Sequence, residues 1–279
     1  MFRVKPMQPK DFSFAVELSN TMDWQMAPED FQFNSYIEPK GCLVLFEDSK
    51  PLGIATCISY GKVGWFGNLI VKEEVRQRGA GSFLVKHAIN YLQGKGVETI
   101  GLYAYPNLQN FYGNLGFKAD MEVAVFHTLS LNSSAQEILP KIGKSQFQTI
   151  IKFDKECFGG DRTKLLESII LEKSNLAYYL PKDNKIVGYV ASTVYETMAW
   201  IGPLICKEGS NDEAVKLLKA VLGKLSGKAA FVALPKKENA LIHTLTTAGF
   251  TMDFSVIRMY FGASAARNCI YLAESLERG

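Results

Sequence analysis

Histidine is almost missing from this chain of 279 residues: the three present, His87, His127 and His243, have no partner at the spacing a metal site needs. A structural role is expected for each, and no metal. Cysteine is as thin. Cys42, Cys57, Cys157, Cys206 and Cys269 are scattered, none forms a Cys-x-x-Cys pair, and most stand in apolar segments, the pattern of buried reduced thiols. Charge of one sign is not in excess. With 31 basic and 28 acidic residues the net charge is +3, and no basic stripe supports a nucleic-acid partner. Apolar runs are broken by Gly, Lys or Asp well before the roughly 20 residues of a membrane span. The start, Met1-Phe2-Arg3-Val4-Lys5-Pro6, lacks the apolar core of a signal peptide. A cytoplasmic protein with no membrane partner is the expectation.

What is present is apolar bulk, 47% of residues, enough for a core in each of two domains. One stretch organises the rest: Leu69-Ile70-Val71-Lys72-Glu73-Glu74-Val75-Arg76-Gln77-Arg78-Gly79-Ala80-Gly81-Ser82. The apolar run Trp65 to Val71 reads as a buried strand, and Phe83 to Val85, Ala88, Ile89 and Leu92 recur at helical spacing after the turn. Gly79 and Gly81 have no Cβ, so the backbone can bring several N–H groups close to a phosphate oxygen while Arg76 and Arg78 add charge. Those N–H groups are also the orphan donors of the first helical turn, where the helix dipole favours an anion. A P-loop needs Gly-Lys-Ser/Thr, which is absent, and the dinucleotide fingerprint needs a third glycine where Leu84 stands.

Short strands precede the turn, at Gly41 to Glu47 and Leu52 to Ser59, after helices beginning near Phe12 and Pro28. A strand, Glu98 to Ala104, and a short helix from about Asn107 to Gly116-Phe117 follow it. Arg76-x-x-Gly79-x-Gly81 resembles the pyrophosphate signature of the GNAT superfamily of acyl-CoA-dependent N-acyltransferases, and Tyr112-x-x-x-Gly116-Phe117 resembles the end of that family's next helix. An Asn on the strand-to-helix turn also belongs to the pattern; Asn107 stands nearer the Tyr than is usual.

The second half repeats the first. Phe12, Gly53, Trp65 and Gly67 correspond to Phe147, Gly188, Trp200 and Gly202 at one constant offset, and Gly116-Phe117 corresponds to Gly249-Phe250. Two tandem GNAT-like domains are expected, each a mixed, mostly antiparallel sheet flanked by helices in an α/β (α+β) fold. The catalytic one spans 1–130 and a degenerate one 138–279, with the junction in Leu131 to Glu137. In place of Arg76 to Gly81 the second copy has Cys206-Lys207-Glu208-Gly209-Ser210-Asn211-Asp212-Glu213, whose carboxylates compete with an anion, and Leu245 replaces Tyr112. Asp161 and Arg162 read either as pocket residues or as a loop-fixing ion pair.

The resemblance implies acetyl-CoA as co-substrate and direct attack by a primary amine in a ternary complex. Pyrophosphate would meet Arg76, Gln77, Arg78, Gly79, Ala80, Gly81 and Ser82, with Asn107 as a further contact. The pantetheine arm would pair with Leu69, Ile70 and Val71 where the sheet splits, and backbone N–H groups there would polarise the thioester. Tyr112 is the candidate general acid, or an aromatic packed under the Gly-Phe turn. The base is open: Asn68 stands where some members carry an acid, and Asp23, Glu29 and Asp30 read either as bases or as solvated helix-start charges. Water is a further route. Trp24, Phe31, Phe33 and Tyr36 could line an acceptor pocket or belong to the core. A small-molecule or peptide amine is the expected acceptor, among them a polyamine, an amino acid, an aminoglycoside or a protein amine. The second half either closes over the first or pairs with another chain, as in a homodimer. The alternative from another class is a non-catalytic acyl-CoA-binding or sensing protein.

Overall fold

The computed structural model describes residues 1–132, 137–183, 185–263 and 268–279. Residues 133–136 of the expected junction therefore lie outside the described residues. The first half runs β1 (Phe2–Pro6), α1 (Phe12–Asn20), α2 (Pro28–Ile37), β2 (Cys42–Glu47), β3 (Lys50–Ser59), β4 (Val63–Val71), α3 (Ala80–Gly94), β5 (Thr99–Ala104), α4 (Gln109–Gly113) and β6 (Lys118–Thr128). The second runs α5 (Lys144–Phe158), α6 (Thr163–Ile170), β7 (Leu176–Lys182), β8 (Lys185–Val194), β9 (Met198–Cys206), α7 (Asn211–Leu222), β10 (Ala229–Pro235), α8 (Asn239–Thr247), β11 (Thr251–Gly262) and β12 (Ile270–Leu272).

Local chemistry explains the element ends. Pro28 opens α2 with a fixed φ, and Asp30 Oδ2 accepts from the Ala27 N–H at 2.8 Å. Alternation then sorts the strands into two faces. In β2, Leu43 and Leu45 join the core under α3, while Cys42 and Val44 join the core under α1 and α2. Burial pushes the Cys42 thiol up to about 11, so it stays an unreactive thiol.

Among the described residues all twelve strands form one sheet, ordered β1-β2-β3-β4-β5-β11-β6-β10-β9-β8-β7, with β12 against β9. The halves exchange their long last strands. β11 of the second half lies between β5 and β6 of the first, pairing Ile257 with Ala104 on one side and Val256 with Val123 on the other, while β6 pairs with β10. The order is symmetric about the β6–β11 pair, as two copies of one unit would give. A trace of β1 recurs too: Lys141 bridges to Tyr178 just as Pro6 pairs with Leu43. Helices α5 and α6 pack with Ile58, Tyr60 and Trp65 of the first half in one shared core.

Candidate functional site

β4 and β5 run parallel and pair at Val63–Thr99, Gly64–Ile100 and Trp65–Gly101. Beyond that point β4 stays with β3 as far as Val71, and β5 stays with β11. The sheet therefore opens at Trp65. At the mouth β4 carries a bulge: Thr56 faces Gly67 and Ile54 faces Ile70, so Asn68 and Leu69 share one position of the partner strand. Asn68 adopts φ 50°, a left-handed conformation that Asn tolerates better than most residues. Its buried Nδ2 has no hydrogen-bond partner.

After β4 the chain takes a short 3-10 turn, Glu73–Arg78, and then Gly79 at φ 78°, which ends that turn and caps α3 at once. A Cβ built on Gly79 would meet nothing, so the backbone there is open on its outer side. The first bond of α3 is Phe83 N–H to the Gly79 carbonyl at 2.9 Å, which leaves the N–H groups of Ala80, Gly81 and Ser82 as first-turn donors. This is a ready anion cradle at a helix N-terminus. The expected cationic side chains are disposed differently from one another. Arg76 lies along the strand end, its Nε 3.4 Å from the Val71 carbonyl, and lines a cavity of about 420 Å³ with Phe14, Leu18, Met22 and Lys72. Arg78 instead turns back to Glu47 at 2.5 Å and covers the Phe2 ring, away from the cradle. Asn107 is exposed on a 3-10 turn, Pro106–Leu108, ahead of α4.

Tyr112 is buried on the α3 face of the sheet, its ring edge-on to Phe66 with centroids 6.5 Å apart and packed against Phe111 and Phe117. Burial pushes its hydroxyl above the ordinary range, which keeps it protonated. The other aromatic candidates divide. Phe31 is fully buried in the core, and Tyr36 is exposed under the Lys164 ammonium. Trp24 reaches the mouth, donating to the Tyr105 hydroxyl at 3.2 Å, and Phe33 lies under the Arg278 guanidinium. Asp23 and Glu29 are exposed, and Asp30 is spent partly on its helix start. His127 stacks on Phe231 and faces Asp253 at 3.8 Å. Among the described residues no group of three or more His, Cys, Asp or Glu is placed to hold a metal, and no helix is long and apolar enough to cross a membrane.

Sequence reasoning missed the segment after β11. β12 lies in the corresponding opening of the second half, between β9 and β10. Its Ile270 and Leu272 pair with Ile205 and Leu204, the Cys269 carbonyl accepts from Cys206, and the Ala273 N–H donates to Ala233. The chain then crosses to the first half and lies over β4 on the α2 face. Trp65 Nε1 donates to the Leu276 carbonyl at 3.4 Å and Tyr60 donates to the Arg278 carbonyl at 3.0 Å. Arg162 holds the Gly279 carbonyl at 2.8 Å. That arginine pairs not with Asp161 but with buried Asp154, at 2.6 and 3.1 Å, and Tyr189 donates to the same carboxylate. Asp161 caps Thr163 and meets Lys155. Residues 274–279 escaped sequence reasoning because the groups that seat them on the first half, Tyr60, Trp65 and Arg162, are each more than one hundred residues away in sequence.

Comparison with known proteins agrees with this architecture. An acetyltransferase (GNAT) family model matches residues 11–117, and an acetyltransferase (GNAT) domain model matches 150–271. The uncharacterized N-acetyltransferase YitH of Bacillus subtilis (strain 168) is 24% identical over 206 residues, 72% of this chain and 71% of the relative. A crystal structure of a protein from Pyrococcus horikoshii superposes with a TM-score of 0.79 at 21% identity, covering 100% of this chain and 96% of that one. A tandem GNAT protein from the clavulanic acid biosynthesis pathway gives 0.60 at 13% identity, covering 95% and 100%. At these identities the solved structures establish the fold alone.

Proposed function

Because the chain carries two GNAT domains in tandem, we propose that it is an N-acetyltransferase whose first half, residues 1–130, moves an acetyl group from acetyl-CoA to a primary amine by direct attack. One observation carries this reading: the opening between β4 and β5 beyond Trp65, with a strand bulge at its mouth and the free N-terminus of α3 beside it. Acetyl-CoA fits these residues as a substrate. Its pyrophosphate would take the N–H groups of Ala80, Gly81 and Ser82, with Arg76 at the rim, and its pantetheine arm would run along Leu69 to Val71. The orphaned Asn68 Nδ2 and the bulge backbone are donors for the oxyanion that forms at the thioester carbonyl.

Tyr112 supplies the proton for the departing thiolate. Its burial on the α3 face keeps the hydroxyl protonated until the thiolate needs it. Among the described residues the second half, residues 138–279, has no comparable cradle: α7 begins with Asp212 and Glu213 in its first turn, and β12 fills its opening.

The test is a calorimetric titration of acetyl-CoA into the wild type and a Gly81→Glu variant, followed by a thiol-release screen with amines. Micromolar binding in the wild type, lost in a variant with unchanged circular dichroism, is expected. A folded wild type that binds no acetyl-CoA would overturn the reading.

A further inference from the structure

Acyl transfer to an amine needs a group that takes a proton from the incoming ammonium, and β4 does not supply one: Asn68 has no basic atom there. The fold brings a carboxylate to the same place from the other end of the chain. A Cβ built on Gly67 would lie 2.7 Å from Glu277 Cα and 2.8 Å from Glu277 Cβ, so Glu277 rests directly on the strand one residue before the bulge. Its side chain is 22% exposed and meets the Arg278 guanidinium at 2.6 Å. We propose that Glu277 is the proton acceptor of the reaction, and that the acceptor substrate is a cationic amine entering over β4 on the α2 face. This rests on the acetyltransferase reading above.

Position favours it first. Phe66 faces Tyr112 on one side of the strand and Gly67 faces Glu277 on the other. A donor for the thiolate and an acceptor for the amine thus flank the reacting carbonyl from opposite faces. An independent feature marks the same point as a ligand position: Asn68, the next residue, holds a buried N–H donor with no partner. The donor lacking an oxygen, on Asn68, and the residue that carries the carboxylate, seated on Gly67, thus meet at consecutive positions of β4.

Charge then selects the substrate class. Arg278 is shared between Glu274, at 3.0 and 3.1 Å, and Glu277, at 2.6 Å, so one cation answers two carboxylates. Asp30 of α2 adds a further negative charge in range of Glu277. Tyr60, Tyr195 and Arg162 also face this segment, and Arg162 is already paired with Asp154. Aromatic rings complete the mouth: Trp24 on Tyr105, and Tyr105 against Phe254 with centroids 5.7 Å apart. Carboxylates among aromatic rings suit a cation with an apolar body. Burial also pushes the Glu277 carboxyl above its ordinary range.

The step balances. The ammonium nitrogen passes one proton to a Glu277 oxygen, and the neutral amine forms the C–N bond as the C–S bond breaks. The thiolate takes the Tyr112 hydroxyl proton, and the second nitrogen proton restores that hydroxyl. Ammonium and acetyl-CoA become acetamide, CoA thiol and one proton, which leaves Glu277 for water.

The test uses the whole chain saturated with CoA, titrated calorimetrically with spermidine, phenethylamine, glucosamine and a lysine-containing peptide. The wild type and the variants Glu277→Gln, Glu277→Asp and, as a remote surface control, Glu167→Gln are compared. Acetyl-CoA affinity should stay within twofold in all of them, which separates this proposal from the cofactor reading. At least one amine should bind the wild type and the control, and bind Glu277→Gln about tenfold or more weakly. Its thiol release should fall about 100-fold or more in Glu277→Gln. Glu277→Asp should keep amine affinity and lose part of the turnover, since the charge remains but is drawn back. Binding of acetyl-CoA with no binding of any of the four amines would overturn the substrate class. Turnover within threefold of wild type in Glu277→Gln would overturn the role of the residue.

Discussion

Gly67 of the first half and Glu277 of the second occupy one another's space: the Glu277 backbone lies where a side chain on residue 67 would be. The repeat gives this contact a counterpart, because a Cβ on Gly202 would collide with the Ala273 carbonyl. The same passing segment therefore requires a glycine in both halves. Gly67→Ala should lower stability by about 1–3 kcal/mol through overpacking, read as a shift of the urea midpoint. Gly202→Ala should do the same.

The Asp154–Arg162–Tyr189 cluster ties that segment down. Arg162 and Asp154 are fully enclosed, and the guanidinium also holds the Gly279 carbonyl. Asp154→Asn leaves a buried cation without its counter-charge, and a loss of about 3–5 kcal/mol is expected. Tyr189→Phe removes one hydrogen bond to a carboxylate and should cost about 1.5–3 kcal/mol. Denaturant midpoints should fall in that order.

Much of this was legible in the sequence, and the rest was not for a physical reason. The apolar run Cys42 to Phe46, the Pro28 start, and the glycines at 79 and 116 are local signals, and the elements they mark are all present. Strand partnership is not local. Val123 to Phe126 is apolar and Val256 to Tyr260 is apolar but for Arg258, and nothing in either says that β5 takes β11 rather than β6 as its neighbour. The landmark pair Gly67 and Gly202 was visible as a repeat, but its cause, a chain segment crossing both, depends on contacts more than sixty residues away in either case. Arg78 was visible as a cation beside the turn, yet Glu47 across the sheet claims it.

Tyr112→Phe separates chemistry from packing. The ring contacts with Phe66, Phe111 and Phe117 survive and only the hydroxyl is removed. Acetyl-CoA affinity should stay within about twofold and thiol release should fall about 100-fold or more. Unchanged turnover would reduce Tyr112 to a packing residue.

The Glu277 carboxyl, raised above its ordinary 4.5 chiefly by burial, makes stability depend on pH in a definite direction. A group whose folded value is raised contributes its full stability below the unfolded value and loses it as pH rises through the folded one. Above that range the folded protein therefore holds the Glu277 carboxyl at a cost that the unfolded chain does not bear. Glu277→Gln should melt higher than the wild type at pH 7, and the difference should close as pH falls below about 4.5. A variant both less active and more stable is what a working base in a buried place predicts.

Stoichiometry follows from what fills each opening. In the first half β4 and β5 part beyond Trp65, and the α3 N-terminus beside them has free donors. In the second half β9 and β10 pair from Met198–Ala229 to Ile201–Val232, and the space beyond is taken by β12, which bonds to Cys206 and Leu204 on one side and Ala233 on the other. An acyl-CoA arm seeking that place must displace a strand of the same chain, and Asp212 and Glu213 repel its pyrophosphate. Calorimetry should give one acetyl-CoA per chain, and Gly81→Glu should abolish that single event rather than halve the signal. Two equivalent binding events would mean that β12 yields its place, and the assignment of acyl transfer to the first half alone would fall.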